Sequence, residues 1–91
     1  MVPRKEFVVG KQEKHRVLVE VSEWTMDLNA SIDGRVVPPE AYTDPPYAPG
    51  SNWRWQSFSV GDKERHEVWV EMITGVPPSI VIYVDGNPIS I

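Results

Sequence analysis

The sequence predicts an all-β fold: an antiparallel β-sandwich of about eight strands, built from two repeated four-stranded units. Three observations carry this. First, the chain repeats itself. Residues 7–21 and 58–72 share Phe, Val, Gly, Glu, His, Val, Val and Glu at eight of fifteen equivalent positions. Second, the apolar residues recur with period two, the signature of a half-buried strand. Third, an Asp-Gly pair sits at equivalent places in both copies, at 33–34 and 85–86. Such a pair favours a two-residue type I′ hairpin.

The first unit spans residues 5–37. Residues 5–9 form a short strand and 10–13 a polar turn carrying glycine. Residues 14–22 alternate, with His15, Val17, Val19 and Val21 on one face and Arg16, Leu18 and Glu20 on the other. A loop over 22–27 places Trp24 at its middle. Leu28, Ala30 and Ile32 alternate on the next strand, Asp33-Gly34 turns the chain, and 35–37 return as a strand that Pro38-Pro39 stops.

Five of the nine prolines lie in the 38–52 segment. Proline removes a donor and fixes φ, so this segment reads as a linker packed as an Ω-type loop. The second unit, 53–91, repeats the first. Residues 53–60 carry Trp53, Trp55, Ser57 and Ser59 on one face. Residues 65–73 carry His66, Val68, Val70 and Met72 on the inner face, with Trp69 in place of Leu18. Residues 80–84 are apolar at nearly every position, which predicts burial on both faces or an aromatic contact from Tyr83. Residues 87–90 close the chain at an edge, where Pro88 is tolerated. No apolar spacing supports a helix longer than one turn. Neither sheet can bury its apolar face alone, so the two copies cover each other about a pseudo-two-fold axis.

At 91 residues a single domain is expected. The absence of cysteine excludes disulfides, thiolate metal sites and cysteine catalysis. The net charge is −4, with nine Lys and Arg spread among thirteen acids, so no basic stripe exists for a nucleic-acid backbone. The start, Met-Val-Pro-Arg-Lys-Glu, does not read as a signal peptide. The Ile80–Val84 run is too short to span a bilayer. A soluble, cytoplasmic protein with no nucleic-acid or membrane partner is expected.

Phe-x-Val-Gly at 7–10 and 58–61, the alternating strand after each, and the Ile-Asp-Gly and Val-Asp-Gly hairpins at 32–34 and 84–86 resemble the Fas apoptotic inhibitory molecule family. The resemblance covers most of the chain. It implies a β-sandwich of two antiparallel sheets and a non-catalytic role in protein interaction.

His15 and His66 occupy equivalent positions. They could share a metal site across the pseudo-axis, but two ligands without a carboxylate cluster fall short of one, and a local hydrogen bond at each strand start is the expectation. Glu20 and Glu71 are expected on a solvated outer face, paired with residues such as Arg16 or Arg65. Trp53 and Trp55, with Tyr42 and Tyr47 of the proline-rich segment, form the best candidate binding platform, able to stack on a sugar, a base or a proline-rich peptide. The alternative role for the two tryptophans is to cap the core. Trp24 in its polar loop is a further candidate contact. No phosphate loop and no Ser/His/Asp spacing occurs, so no enzyme, cofactor or metal is expected. The expected partner is a protein, a homodimer through a strand edge included.

Overall fold

A computed structural model describes residues 3–22, 27–43, 54–73 and 79–90. The strands are β1 Arg4–Val9, β2 His15–Val21, β3 Leu28–Ile32, β4 Arg35–Val36, β5 Arg54–Val60, β6 His66–Ile73, β7 Ser79–Val84 and β8 Asn87–Pro88. They form two four-stranded antiparallel sheets in plain meander order, β1-β2-β3-β4 and β5-β6-β7-β8. The fold is the sandwich that the repeat predicts. Among the described residues the only helical element is a single 3₁₀ turn, Pro39–Ala41, and no helix is long and apolar enough to cross a membrane.

The registers repeat as the sequence does. Phe7 opposes Val17 and Val9 opposes His15, while Phe58 opposes Val68 and Val60 opposes His66. Both hairpins turn on Asp-Gly with positive φ at both central residues: 53° and 82° at Asp33 and Gly34, 52° and 84° at Asp85 and Gly86. That is the type I′ geometry, whose twist matches the flanking strands.

One core lies between the sheets. Phe7, Val9, Val17, Val19 and Val21 from the first meet Phe58, Val60, Val68, Val70 and Met72 from the second, joined by Leu28, Ala30, Ile80 and Ile82. A β-branched side chain fits a pleated surface, and each buried valine contributes roughly 1.5–3 kcal/mol of transfer free energy. Along β7 only Ile80 and Ile82 are buried, so the strand alternates rather than being covered on both faces.

The proline-rich segment is more than a linker where it is described. Tyr42 sets its ring edge-on to Phe58 at 5.8 Å between centroids, and its hydroxyl accepts the Ala30 N–H at 2.9 Å. It ties the first sheet to the second. Thr43 then pairs with Ser57 through both backbone hydrogen bonds, at 2.8 and 2.6 Å, and through the hydroxyls at 3.0 Å. Ser57 is fully buried as a result. The expected Ω-loop over 38–52 lies largely outside the described residues.

Phe58→Ala should destabilise the protein by about 3–5 kcal/mol, because it empties the centre of the core and removes the Tyr42 contact. Val36→Ala should cost less than about 0.5 kcal/mol, as expected of an exposed side chain. Urea unfolding of both variants measures the difference.

Candidate functional site

Two constellations stand apart from the core. The first joins the turns that precede β2 and β6. Gly10 and Gly61 open these turns at φ 106° and 99°. A Cβ at either position would sit 2.0 Å from the carbonyl oxygen of Glu13 or Glu64, so only glycine fits. With that geometry the next backbone N–H groups converge into a small anion-binding nest. Each nest is filled by the glutamate of the other copy. The Glu13 carboxylate accepts N–H groups from Asp62 at 2.6 Å, Lys63 at 2.8 Å and Glu64 at 3.3 Å. The Glu64 carboxylate accepts those of Lys11 at 2.7 Å, Gln12 at 2.8 Å and Glu13 at 3.1 Å.

Each glutamate also meets its own histidine. His15 donates Nε2–H to Glu13 and Nδ1–H to Asp33, both at 2.6 Å. His66 donates Nε2–H to Glu64 and Nδ1–H to Asp85, again at 2.6 Å. The two aspartates complete the chain by accepting the Arg16 and Glu67 N–H groups at 2.9 Å. Ionised carboxylates only accept, so both nitrogens of each ring carry a proton. These contacts favour the imidazolium form, which has no lone pair left for a metal or a substrate.

The titrations follow from these contacts. The His15 imidazolium, then the Asp62 and Lys63 N–H groups, hold Glu13 down to about 2. His66, then Lys11 and Gln12, do the same for Glu64, also to about 2. His15 is raised by Asp33 and then Glu13, and His66 by Asp85 and then Glu64. Asp33 is lowered chiefly by His15, and Asp85 by the Glu67 N–H and then His66.

The hydrogen bonds that each histidine ring makes to Glu and Asp stay within its own unit. Each makes two carboxylate contacts rather than the single local bond expected of it. A signal for this existed in the repeat. Of turn residues 11–13 only Glu13 is identical to its counterpart, while Lys11 and Gln12 become Asp62 and Lys63.

The second constellation covers the outer face of the second sheet. Trp55 on β5 and Tyr83 on β7 reach across β6 and meet at 5.3 Å between ring centroids, tilted by 42°. Trp69 on β6 lies beside them, opposite Ser57 and Tyr83 in the ladder. All three rings are half-buried. Beneath them is Glu71, opposite Trp55 in register and only 4% exposed. The expectation of a solvated Glu71 fails because the rings roof it over, and the Tyr83 hydroxyl donates to its carboxylate at 3.4 Å. Burial, then the Glu71 charge, push the Tyr83 phenol upward. Its counterpart Glu20 is half-buried. The Trp69 indole N–H is buried with no acceptor among the described residues.

Of the residues singled out from the sequence, Trp24, Tyr47 and Trp53 lie outside the described residues. Trp55 stands on the outer face, whereas Tyr42 points to the core against Phe58, so the structure does not bring these two together. Tyr83 and Trp69 join Trp55 instead. The register found them where composition could not: they flank Trp55 only once β6 lies between β5 and β7. No family model, curated protein or solved structure matches the chain.

The turn contacts set the pH profile of stability. The glutamates are depressed, so their contribution is present above 4.5 and is lost as pH falls toward about 2. The histidines are raised, so theirs is complete below 6.5 and is lost as pH rises through the raised value. Urea midpoints should therefore form a plateau between 4.5 and 6.5 and decline on both sides. In Glu13→Gln/Glu64→Gln both declines should flatten. Midpoints that stay level above the plateau would contradict the imidazolium assignment.

Proposed function

We propose that the protein is a non-catalytic interaction module and that the outer face of the second sheet, with Trp55, Trp69 and Tyr83, is the surface it offers to a protein partner. A role of this kind is what the resemblance to the Fas apoptotic inhibitory molecule family implies. A cytoplasmic setting goes with the reading and suits a chain without cysteine.

One observation carries it. The two units largely keep their core-facing positions, whereas on the outer faces of the paired strands only Glu20 and Glu71 coincide. Phe7 matches Phe58, Val17 matches Val68, Val19 matches Val70 and Leu28 matches Ile80. On the outer faces Arg4 becomes Trp55, Leu18 becomes Trp69 and Ser31 becomes Tyr83. The first sheet forms without those rings, so the fold does not require them. The Trp69 indole N–H, buried, has no acceptor among the described residues. Half-exposed Trp and Tyr clusters are the side chains that dominate binding surfaces. The histidines, saturated with carboxylates, support the non-catalytic half of the reading.

Two-dimensional amide NMR, titrated in turn with proline-rich peptides, sugars and nucleotides, tests this. The expected result is a peptide-induced shift of the Trp69 and Trp55 indole signals, weakened about tenfold or more by Tyr83→Ser. Sugar or nucleotide shifts at the same signals, without peptide shifts, would reassign the surface to a small ligand. Silence with all three classes counts against a binding face.

A further inference from the structure

The glutamate that the repeat keeps on both outer faces has different company on each. On the first sheet Glu20 stands directly opposite Arg4, and Arg16 shares the face. These arginines balance Glu6 and Glu20, so the strands of that face carry no net charge. On the second sheet both arginines are gone. Trp55 replaces Arg4 opposite Glu71, Glu67 replaces Arg16, and Ser57 replaces Glu6.

From β5 to β8 the outward register positions therefore hold Glu67 and Glu71 and no Lys or Arg. Arg54 falls at a core-side register position, opposite Met72, and Arg65 lies before β6, beyond Glu67 as seen from Glu71. The remaining Lys and Arg belong to the first sheet or to the turns before β2 and β6. The segments outside the described residues contain no Lys or Arg in their sequence.

The rings add to the same field. An aromatic ring is negative on its face and positive at its edge, so it attracts a cation laid over it. Trp55 and Tyr83 are inclined at 42° with their centroids 5.3 Å apart, above the level of Glu71. Glu71 is only 4% exposed and acts on a group at the surface through this poorly polarisable layer, where charge is weakly screened. A guanidinium suits both features, being planar, permanently charged and weakly hydrated.

We propose that Trp55, Trp69 and Tyr83, lying over Glu71 and beside Glu67, bind an arginine side chain of the partner protein. The proposal rests on the interaction surface argued above and gives its partner a chemistry. The partner's arginine brings a cation to the face whose strands have none, as Arg4 does within the first unit.

Indole and amide NMR, titrated with two blocked peptides, tests the charge alone. One is acetyl-Gly-Pro-Arg-Pro-Gly-amide, the other the same peptide with citrulline for arginine, which keeps the shape and loses the charge. The arginine peptide should shift the Trp55 and Trp69 indole signals and bind roughly 5- to 30-fold more tightly than the citrulline peptide. Glu71→Gln should remove most of that preference and leave the citrulline peptide's affinity as it was. Should Glu71→Gln unfold, Glu67→Gln replaces it, with the preference falling about two- to threefold. Equal binding of the two peptides overturns the inference and leaves the aromatic interaction surface standing. A preference that neither variant reduces overturns it as well. So does a Glu71→Gln protein that loses both peptides alike, since the glutamate would then only hold the rings. Silence with both peptides, and with the wider peptide series above, removes the interaction surface and this inference with it.

Discussion

The exchange of Glu13 and Glu64 between the two turns is the contact on which the arrangement of the sheets depends. Hydrophobic burial holds the sheets together without fixing their relative position, because apolar contact is not directional. The carboxylates supply direction. Each takes three N–H groups from the other copy and one from its own histidine. Hydrogen bonds to a charged acceptor are shorter and stronger than neutral ones. The glutamate side chains remain about one-quarter exposed, at 25% and 26%, so water screens the charge without replacing the bonds. The result is a reciprocal clasp at the pseudo-axis, with the strand ends of both sheets fastened to the same point.

That clasp separates what the duplicated unit must keep from what it can change. The glycine, the glutamate, the histidine and the Asp-Gly turn form one connected chain of contacts, and all four recur in both copies. The inward valines recur with them because they share one core. Outward side chains other than Glu20 and Glu71 answer to neither constraint. Freed from both, the two outer faces differ, one carrying Arg4, Leu18 and Ser31 where the other carries Trp55, Trp69 and Tyr83. A symmetric scaffold thereby presents two unlike surfaces.

The inner faces of β2 and β6 were legible because period two is a local property, visible in any window of seven residues. The hairpins were legible for the same reason, since Asp-Gly states its own geometry. The burial of Glu71 was not. A glutamate between Val70 and Met72 on an alternating strand reads as solvated until β5 and β7 bring Trp55 and Tyr83 together above it, and that needs the register of three strands. The Glu13–Glu64 exchange spans 49 to 53 residues of sequence, and no local pattern specifies it. Tyr42 shows the limit of composition in another way. Placed among prolines and aromatics it suggests a surface platform, yet the Thr43–Ser57 bridge turns it inward onto Phe58.

Amide hydrogen exchange in Glu13→Ala bears most directly on the clasp. Losing this carboxylate strips the acceptor from three consecutive N–H groups. The account predicts that protection of the Asp62, Lys63 and Glu64 amides collapses while that of the β6–β7 ladder persists, and that the Lys11 and Gln12 amides, still held by Glu64, are affected less. Unchanged protection at Asp62, Lys63 and Glu64 would show that the opposite turn is not held from across the axis, and would contradict the account.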